Sequence, residues 1–202
     1  MIVPWIRKTL SAEVVLLLLC AALLGDHLPE TKLARGNSEM VLAGIDISSF
    51  LVPDEHGMHH DDFRTRVPDV VAKFGRFSRR EIRGDTPGKE TGECEYVWAK
   101  PHVQLATTIF CSEDGSTDLT GIHHVVVSGT SREAKWKTGA GVGLGDSISD
   151  IRRAYGSRYV VYHTLPEKTR ELMLQWPDGT ELSFRFDSSG RINYVSLRVA
   201  IE

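Results

Sequence analysis

Residues 140–156 read AGVGLGDSISDIRRAYG, a glycine-rich entry followed by an amphipathic run. Ile148, Ile151 and Tyr155 fall at i, i+3 and i+7, one apolar stripe of an α-helix. Ser147 is placed to cap its start with Asp150 at the third helical position, and Gly156 to end it. Upstream, residues 43–49 (AGIDISS) and 67–75 (VPDVVAKFG) carry the same pattern. Setting Phe74-Gly75 on Tyr155-Gly156 puts Asp69 on Asp150, Val70 on Ile151 and Val67 on Ile148, with Ala43-Gly44-Ile45 on Ala140-Gly141-Val142. Pro68 suits a first helical turn.

Each helix is followed by strand-like runs. After the second these are residues 159–164, 170–176, 181–186 and 191–199, separated by Pro166-Glu167, Pro177-Asp178-Gly179 and Ser188-Ser189-Gly190. A three-residue loop at Pro177-Asp178-Gly179 pairs Leu174 with Leu182 and Leu172 with Phe184, making one face apolar. Met173, Gln175, Glu181, Ser183 and Arg185 then share the other face. In the last run Ile192 and Tyr194 have one parity and Val195, Leu197 and Val199 the other, which calls for a bulge. After the first helix the runs are 95–100, 103–111 and 119–128. The expected fold is α+β with two tandem units, each a short helix packed on an antiparallel sheet. The expected boundaries are a signal peptide at 1–25, a linker at 26–39, a first unit at 40–130 with an insert at 51–66, and a second unit at 131–202.

The order of glycine, short amphipathic helix ending aromatic-glycine, then antiparallel strands resembles beta-lactamase inhibitory protein and the SmpA/OmlA-type envelope modules. The residues carrying the resemblance are Gly141, Ser147, Asp150, Ile151, Tyr155 and Gly156, echoed by Gly44, Asp69, Val70, Phe74 and Gly75. The resemblance implies a protein-binding or assembly role through an open sheet surface, and it implies no active site.

The N-terminus has Arg7 and Lys8, an apolar run at 14–24, and polar residues from Asp26, the layout of a secretory signal peptide. The run is about half the ~20 residues of a membrane-spanning helix. Cysteine 20 with Ala22 supplies small residues for cleavage at Ala22, and Gly25 offers a second site. A membrane anchor and a lipidated Cys20 are the competing readings. Removing 1–25 takes away Arg7, Lys8 and Glu13 and leaves 22 basic and 26 acidic residues, a net charge of −4, with no stable transmembrane segment in the mature chain. It also leaves Cys94 and Cys111. An even count in a secreted or periplasmic protein reads as a disulfide, and the two apolar arms around Lys100-Pro101-His102 fold back as a hairpin that sets one cysteine opposite the other.

The whole chain, 202 residues with 41% apolar and 25% charged, can bury a core, and its net charge of −3 argues against nucleic acid as a partner. The glycines at 139, 141, 143 and 145 fit neither a dinucleotide fingerprint nor a phosphate loop, since Leu144 and Asp146 stand where a third glycine is needed and no Lys follows. They read as a strand-to-helix entry. No nucleophile-elbow, zinc-helix or paired-cysteine motif occurs. No cofactor is expected. The run Arg76, Arg79, Arg80 and Arg83 reads as a solvated loop. His123 and His124 lie in a strand and point to opposite faces, one semi-buried and one exposed.

The first unit holds about 16 more residues than the second between its leading strand and its helix. Within them, residues 54–62 (DEHGMHHDD) carry seven potential metal ligands in nine positions. His56 and His60 are four apart, the spacing that places two imidazoles on one helical face, and His59 and Asp61 complete a candidate divalent-metal set. A polar surface loop is the plainer reading. The function expected is an exported, non-enzymatic protein-binding or envelope-assembly module, with Met173, Gln175, Glu181, Ser183 and Arg185 as contacts for a protein partner. Two alternatives stand beside it: a hydrolase-like secreted or periplasmic enzyme with a site between the units, and a metal-binding protein.

Overall fold

A computed structural model of the chain describes residues 37–54, 57–83, 91–112, 121–156, 160–164, 170–177 and 179–199. The expected signal peptide and nearly all of the linker lie outside these residues. After a 3-10 turn (Asn37–Met40) come β1 (Val41–Leu42), β2 (Ile45–Asp46), β3 (Ser49–Asp54), β4 (Gly57–Phe63), α1 (Val67–Phe74), β5 (Arg79–Arg83), β6 (Thr91–Lys100), β7 (Val103–Ser112) and β8 (His124–Gly129). A second 3-10 turn (Ala134–Trp136) leads to α2 (Ile148–Tyr155), β9 (Val160–Thr164), β10 (Arg170–Gln175), β11 (Glu181–Phe186) and β12 (Ile192–Arg198). The fold is α+β and its sheets are antiparallel.

Eight strands form one sheet in the order β5-β6-β7-β8-β12-β11-β10-β9, and β1-β2 and β3-β4 are separate pairs. A helix followed by a four-strand meander thus occurs twice, and the last strands of the two meanders pair with each other. The segments 40–130 and 131–202 therefore share one sheet, inside one compact unit that runs from residue 35 to 202.

The two helices start and stop alike. Asp69 Oδ2 accepts from the Arg66 amide at 2.9 Å, and Asp150 Oδ2 accepts from the Ser147 amide at 2.9 Å. Each carboxylate satisfies an amide at the start of its helix. Gly75 and Gly156 end the helices with φ of 81° and 75°, a left-handed conformation that a side chain would strain. Both helices bury their stripe on the same face of the sheet: Val67, Val70 and Ile151 join a core containing Trp98, Leu105, Val125, Leu172, Phe184 and Leu197. The Trp98 indole donates to Gly75 O at 2.7 Å, so a core side chain also satisfies a carbonyl at the end of α1.

The turn chemistry at 177–179 produces the expected register. Leu174 pairs with Leu182 and Leu172 with Phe184, Gly179 has φ 80°, and the Trp176 amide donates to Thr180 O at 2.9 Å. Pairing of β11 with β12 shifts between Arg185 and Phe186, because Phe186 faces Ile192 and Arg185 faces Tyr194. Asn193 is the extra residue, which accounts for the change of parity in that strand.

Three expectations need correction. The arginine run after α1 is not a loop: Arg79, Arg80 and Arg83 lie on β5, an edge strand, and the Arg80 guanidinium sits 5.6 Å from the Tyr96 ring centre. The 51–66 insert is largely a hairpin, with β4 placing His60 across from Leu51 and His59 across from Val52. A strand has no i, i+4 face, so the helical spacing read for His56 and His60 does not apply, and His56 itself lies outside the described residues. Finally, Cys94 faces Ile109 and Cys111 faces Gly92, so the cysteines are diagonal across β6 and β7 and not directly opposite.

They are nevertheless bonded, with Cα atoms 5.7 Å apart and a sequence separation of 17. Both are buried in the core under α1's side of the sheet. Closing a loop of that length constrains the unfolded chain by about 3 kcal/mol. Urea unfolding with and without reductant should show that loss in the parent and none in a Cys94→Ala, Cys111→Ala double variant; equal stability of the parent in both conditions would overturn the estimate.

Candidate functional site

The face of the sheet away from the helices is assembled from strands of both halves of the chain. Cross-strand partners share a face, so the ladders define its rows. The middle row runs Val97, Ala106, Val126, Ser196, Ser183, Met173 from β6 to β10. These side chains are short or slim, and Val97, Ala106, Ser183 and Ser196 are at most 9% exposed. On one side stands the row Gln104, Ser128, Tyr194, Arg185, Glu171, and on the other the row Glu95, Thr108, His124, Arg198, Glu181, Gln175. Longer polar and aromatic side chains thus rim a shallow trough.

The rims are tied by side-chain contacts. Arg185 Nε reaches Glu171 Oε1 at 3.4 Å and its guanidinium lies 4.4 Å from the Tyr194 ring centre. Glu171 is 6% exposed, so this pair neutralises an otherwise buried carboxylate. Gln175 Nε2 donates to Glu181 Oε1 at 3.3 Å, and the His124 ring lies 2.8 Å from Ser196 Oγ. Cation–π stacking and these pairs hold long side chains in fixed positions, which lowers the ordering cost of binding.

All five residues expected as contacts lie on this face. Gln175 is exposed, Met173, Glu181 and Arg185 are half-buried, and Ser183 is recessed at 8% exposure in the floor of the trough. Sequence reasoning missed Tyr194, Glu171, His124, Arg198 and Ser196. The first two follow from the hairpin register once the bulge at Asn193 is placed. Ser196 and Arg198 follow likewise from the β11–β12 register, and His124 alone depends on β8 pairing with β12, a contact between distant segments with no local signal.

Beneath the rim lies a buried imidazole. His123 is 2% exposed, its ring stacks on Phe110 with centroids 4.6 Å apart, and its amide donates to Thr108 O at 3.1 Å. Burial, with smaller contributions from His124 and Arg198, pushes its pKa down from 6.5 to about 4. On the helix side, burial pushes the Tyr155 hydroxyl up to about 12, and that hydroxyl donates to Thr138 Oγ1 at 2.8 Å. Hydrogen bonds from Ser147 hold the Asp150 carboxyl below its usual value, and bonds from Ser189 and Arg191 do the same for Asp187. Each of these shifts follows from a packing or capping role.

Among the described residues no three His, Cys, Asp or Glu side chains stand close enough together to hold a metal ion. The side chains of His59, His60 and Asp61 lie outside that statement. No helix among the described residues is long and apolar enough to cross a membrane. Comparison with known protein families, with curated proteins and with solved structures finds no match to this chain. The resemblance to beta-lactamase inhibitory protein and the SmpA/OmlA-type modules accordingly rests on the glycine-helix-strand pattern alone.

The sign of the His123 shift sets a pH dependence. The folded state prefers the neutral ring, so the unfolded chain binds the proton more readily. Its contribution is fully present above pH 6.5 and is lost as pH falls towards 4, by roughly 3 kcal/mol at most. Denaturant unfolding at pH 7 and pH 4 should show a larger loss for the parent than for His123→Phe, which keeps the ring against Phe110 but cannot titrate. Equal losses would place the acid sensitivity elsewhere.

Proposed function

We propose that this chain is an exported, non-enzymatic protein-binding module whose partner docks on the open face of the eight-stranded sheet. The observation that carries the reading is the asymmetry of that sheet: both helices pack on one face, while the other presents a trough of small side chains between rims held by Arg185, Tyr194 and Glu171. Such a surface has the make-up of an interface core, with aromatic and Arg anchors beside small residues that admit a partner's side chains. The charges along its rims are of both signs, which suits a protein partner and not a polyanion. Export is supported by the bonded Cys94–Cys111 pair, since such bonds persist in oxidising compartments, and by the signal-like layout of residues 1–25.

Affinity capture from the extracytoplasmic fraction of the source cells tests this reading. The parent and an Arg152→Ala control on α2 should enrich the same protein. A Tyr194→Ser, Gln175→Lys variant should lose it by about tenfold or more, the cost of truncating one interface anchor. Thermal unfolding of the variant near the parent's midpoint keeps misfolding out of the comparison. Undiminished capture by the sheet-face variant would overturn the proposal.

A further inference from the structure

A second concavity lies far along the chain from the trough residues of β10 and β11, beside the end of α1. It has a volume of about 660 Å³, within the range of small-molecule sites. Its walls include Lys73 and Phe74 of α1, Lys100 and His102 of the turn between β6 and β7, and Glu133, Lys135 and Trp136 before α2. Three lysines and one glutamate line it, a local excess of two positive charges in a chain whose net charge is −3.

The wall is also aromatic. Phe74 stacks on the buried Trp136 with centroids 5.4 Å apart and planes at 24°. The Lys73 ammonium lies 5.5 Å from the Phe74 centroid and the Lys135 ammonium 5.1 Å from that of Trp136. Lys73 is held in place by Ala43 O at 3.0 Å and Gly44 O at 3.3 Å, and Lys135 by Glu133 at 2.8 Å. The side chains of Lys100 and His102 have no such partner among the described residues.

The turn that carries them is strained. Pro101 and His102 join Lys100 to its ladder partner Val103, and His102 has φ 64°, a conformation that turns of this kind assign to Gly or Asn. The Thr130 amide holds it by donating to His102 O at 2.8 Å, and the close approach of that oxygen leaves no room for a side chain at Gly129. Strain of this kind persists where neighbouring structure over-determines it, and such positions cluster at binding sites. Here it fixes the backbone of an unpartnered imidazole at the rim of a cationic cleft.

We propose that this cleft binds a small aromatic oxyanion, a planar ring bearing a phosphate or carboxylate group. Lys100 and His102 take the anionic group, Lys73 and Lys135 supply the surrounding positive field, and the ring lies against Phe74. Glu133 limits the site to a ligand with one compact anionic group, since a second negative charge near it is repelled. The proposal is independent of the sheet-face reading.

Titration calorimetry on the full chain tests it with phenyl phosphate, benzoate and neutral benzyl alcohol as probes. At least one of the two anions should bind with a Kd below about 1 mM, and benzyl alcohol about tenfold or more weaker. The tighter of the two anions identifies the charged group. Lys100→Gln alone, and with His102→Asn to keep a residue that tolerates the left-handed turn, should each weaken the anion, the pair by about tenfold or more. Binding of neither anion below about 1 mM, binding of the neutral ring within about tenfold of the tighter anion, or a loss of less than about tenfold in the double variant would overturn the proposal.

Discussion

Everything else in the fold depends on the pairing of β8 with β12. Val125 faces Leu197 and Val127 faces Val195, and all four are fully buried. Without this ladder each half would be a helix on a four-strand meander whose last strand exposes unpaired amides and an apolar face, an aggregation-prone edge. With it, the two apolar faces merge under both helices into one core that runs from Trp98 to Leu172. The core is large because it is shared. Loop closure between segments some 70 residues apart is the entropic cost, and it grows only slowly with separation.

That same pairing marks where sequence reasoning ends. The helices were legible because caps and stripes are local: Ser147 with Asp150 and Ile148 with Ile151 and Tyr155 lie within one or two turns. The β10–β11 register was legible because the Pro177-Asp178-Gly179 loop sets it and one face must be apolar. β5 was not. Arg79-Arg80-Glu81-Ile82-Arg83 lacks an apolar alternation because it is an edge, where charge is an asset and only one neighbour must be satisfied. The insert misled for a related reason: residues 57–63 pair only with 49–54, so their identities answer to no core face of the main sheet. For the candidate site, half of the trough was visible from β10 and β11. Its other half comes from β6, β7 and β8, brought alongside β12 by a long-range contact that leaves no periodic trace.

The two faces of the sheet differ in what their side chains contribute to stability. On the helix face, large side chains such as Trp98, Tyr96 and Phe184 fill the volume, and the disulfide lies among them. On the other face the floor residues Ala106, Ser183 and Ser196 are small and at most 9% exposed, and Ser196 Oγ lies 2.8 Å from the His124 ring. The rim side chains, by contrast, are held by charge pairing and stacking, an expense in rotamer freedom that folding alone does not repay.

Charge placement separates the two proposed surfaces further. Along the trough, Arg185 is offset by Glu171 and Arg198 lies across the ladder from Glu181, so the face is near neutral while remaining polar at its edges. At the end of α1 the balance tips to positive, where a helix C-terminus favours cations, and Lys73 in its last turn also bonds the Ala43 and Gly44 carbonyls between β1 and β2. Lys100 and Lys135 are surplus to that need. In a chain of net negative charge, Lys100 and His102, whose side chains have no partner among the described residues, sit on a turn in which His102 has φ 64°. That surplus of lysine is what the proposed anion answers, just as the mixed charge of the trough is what the proposed protein partner answers.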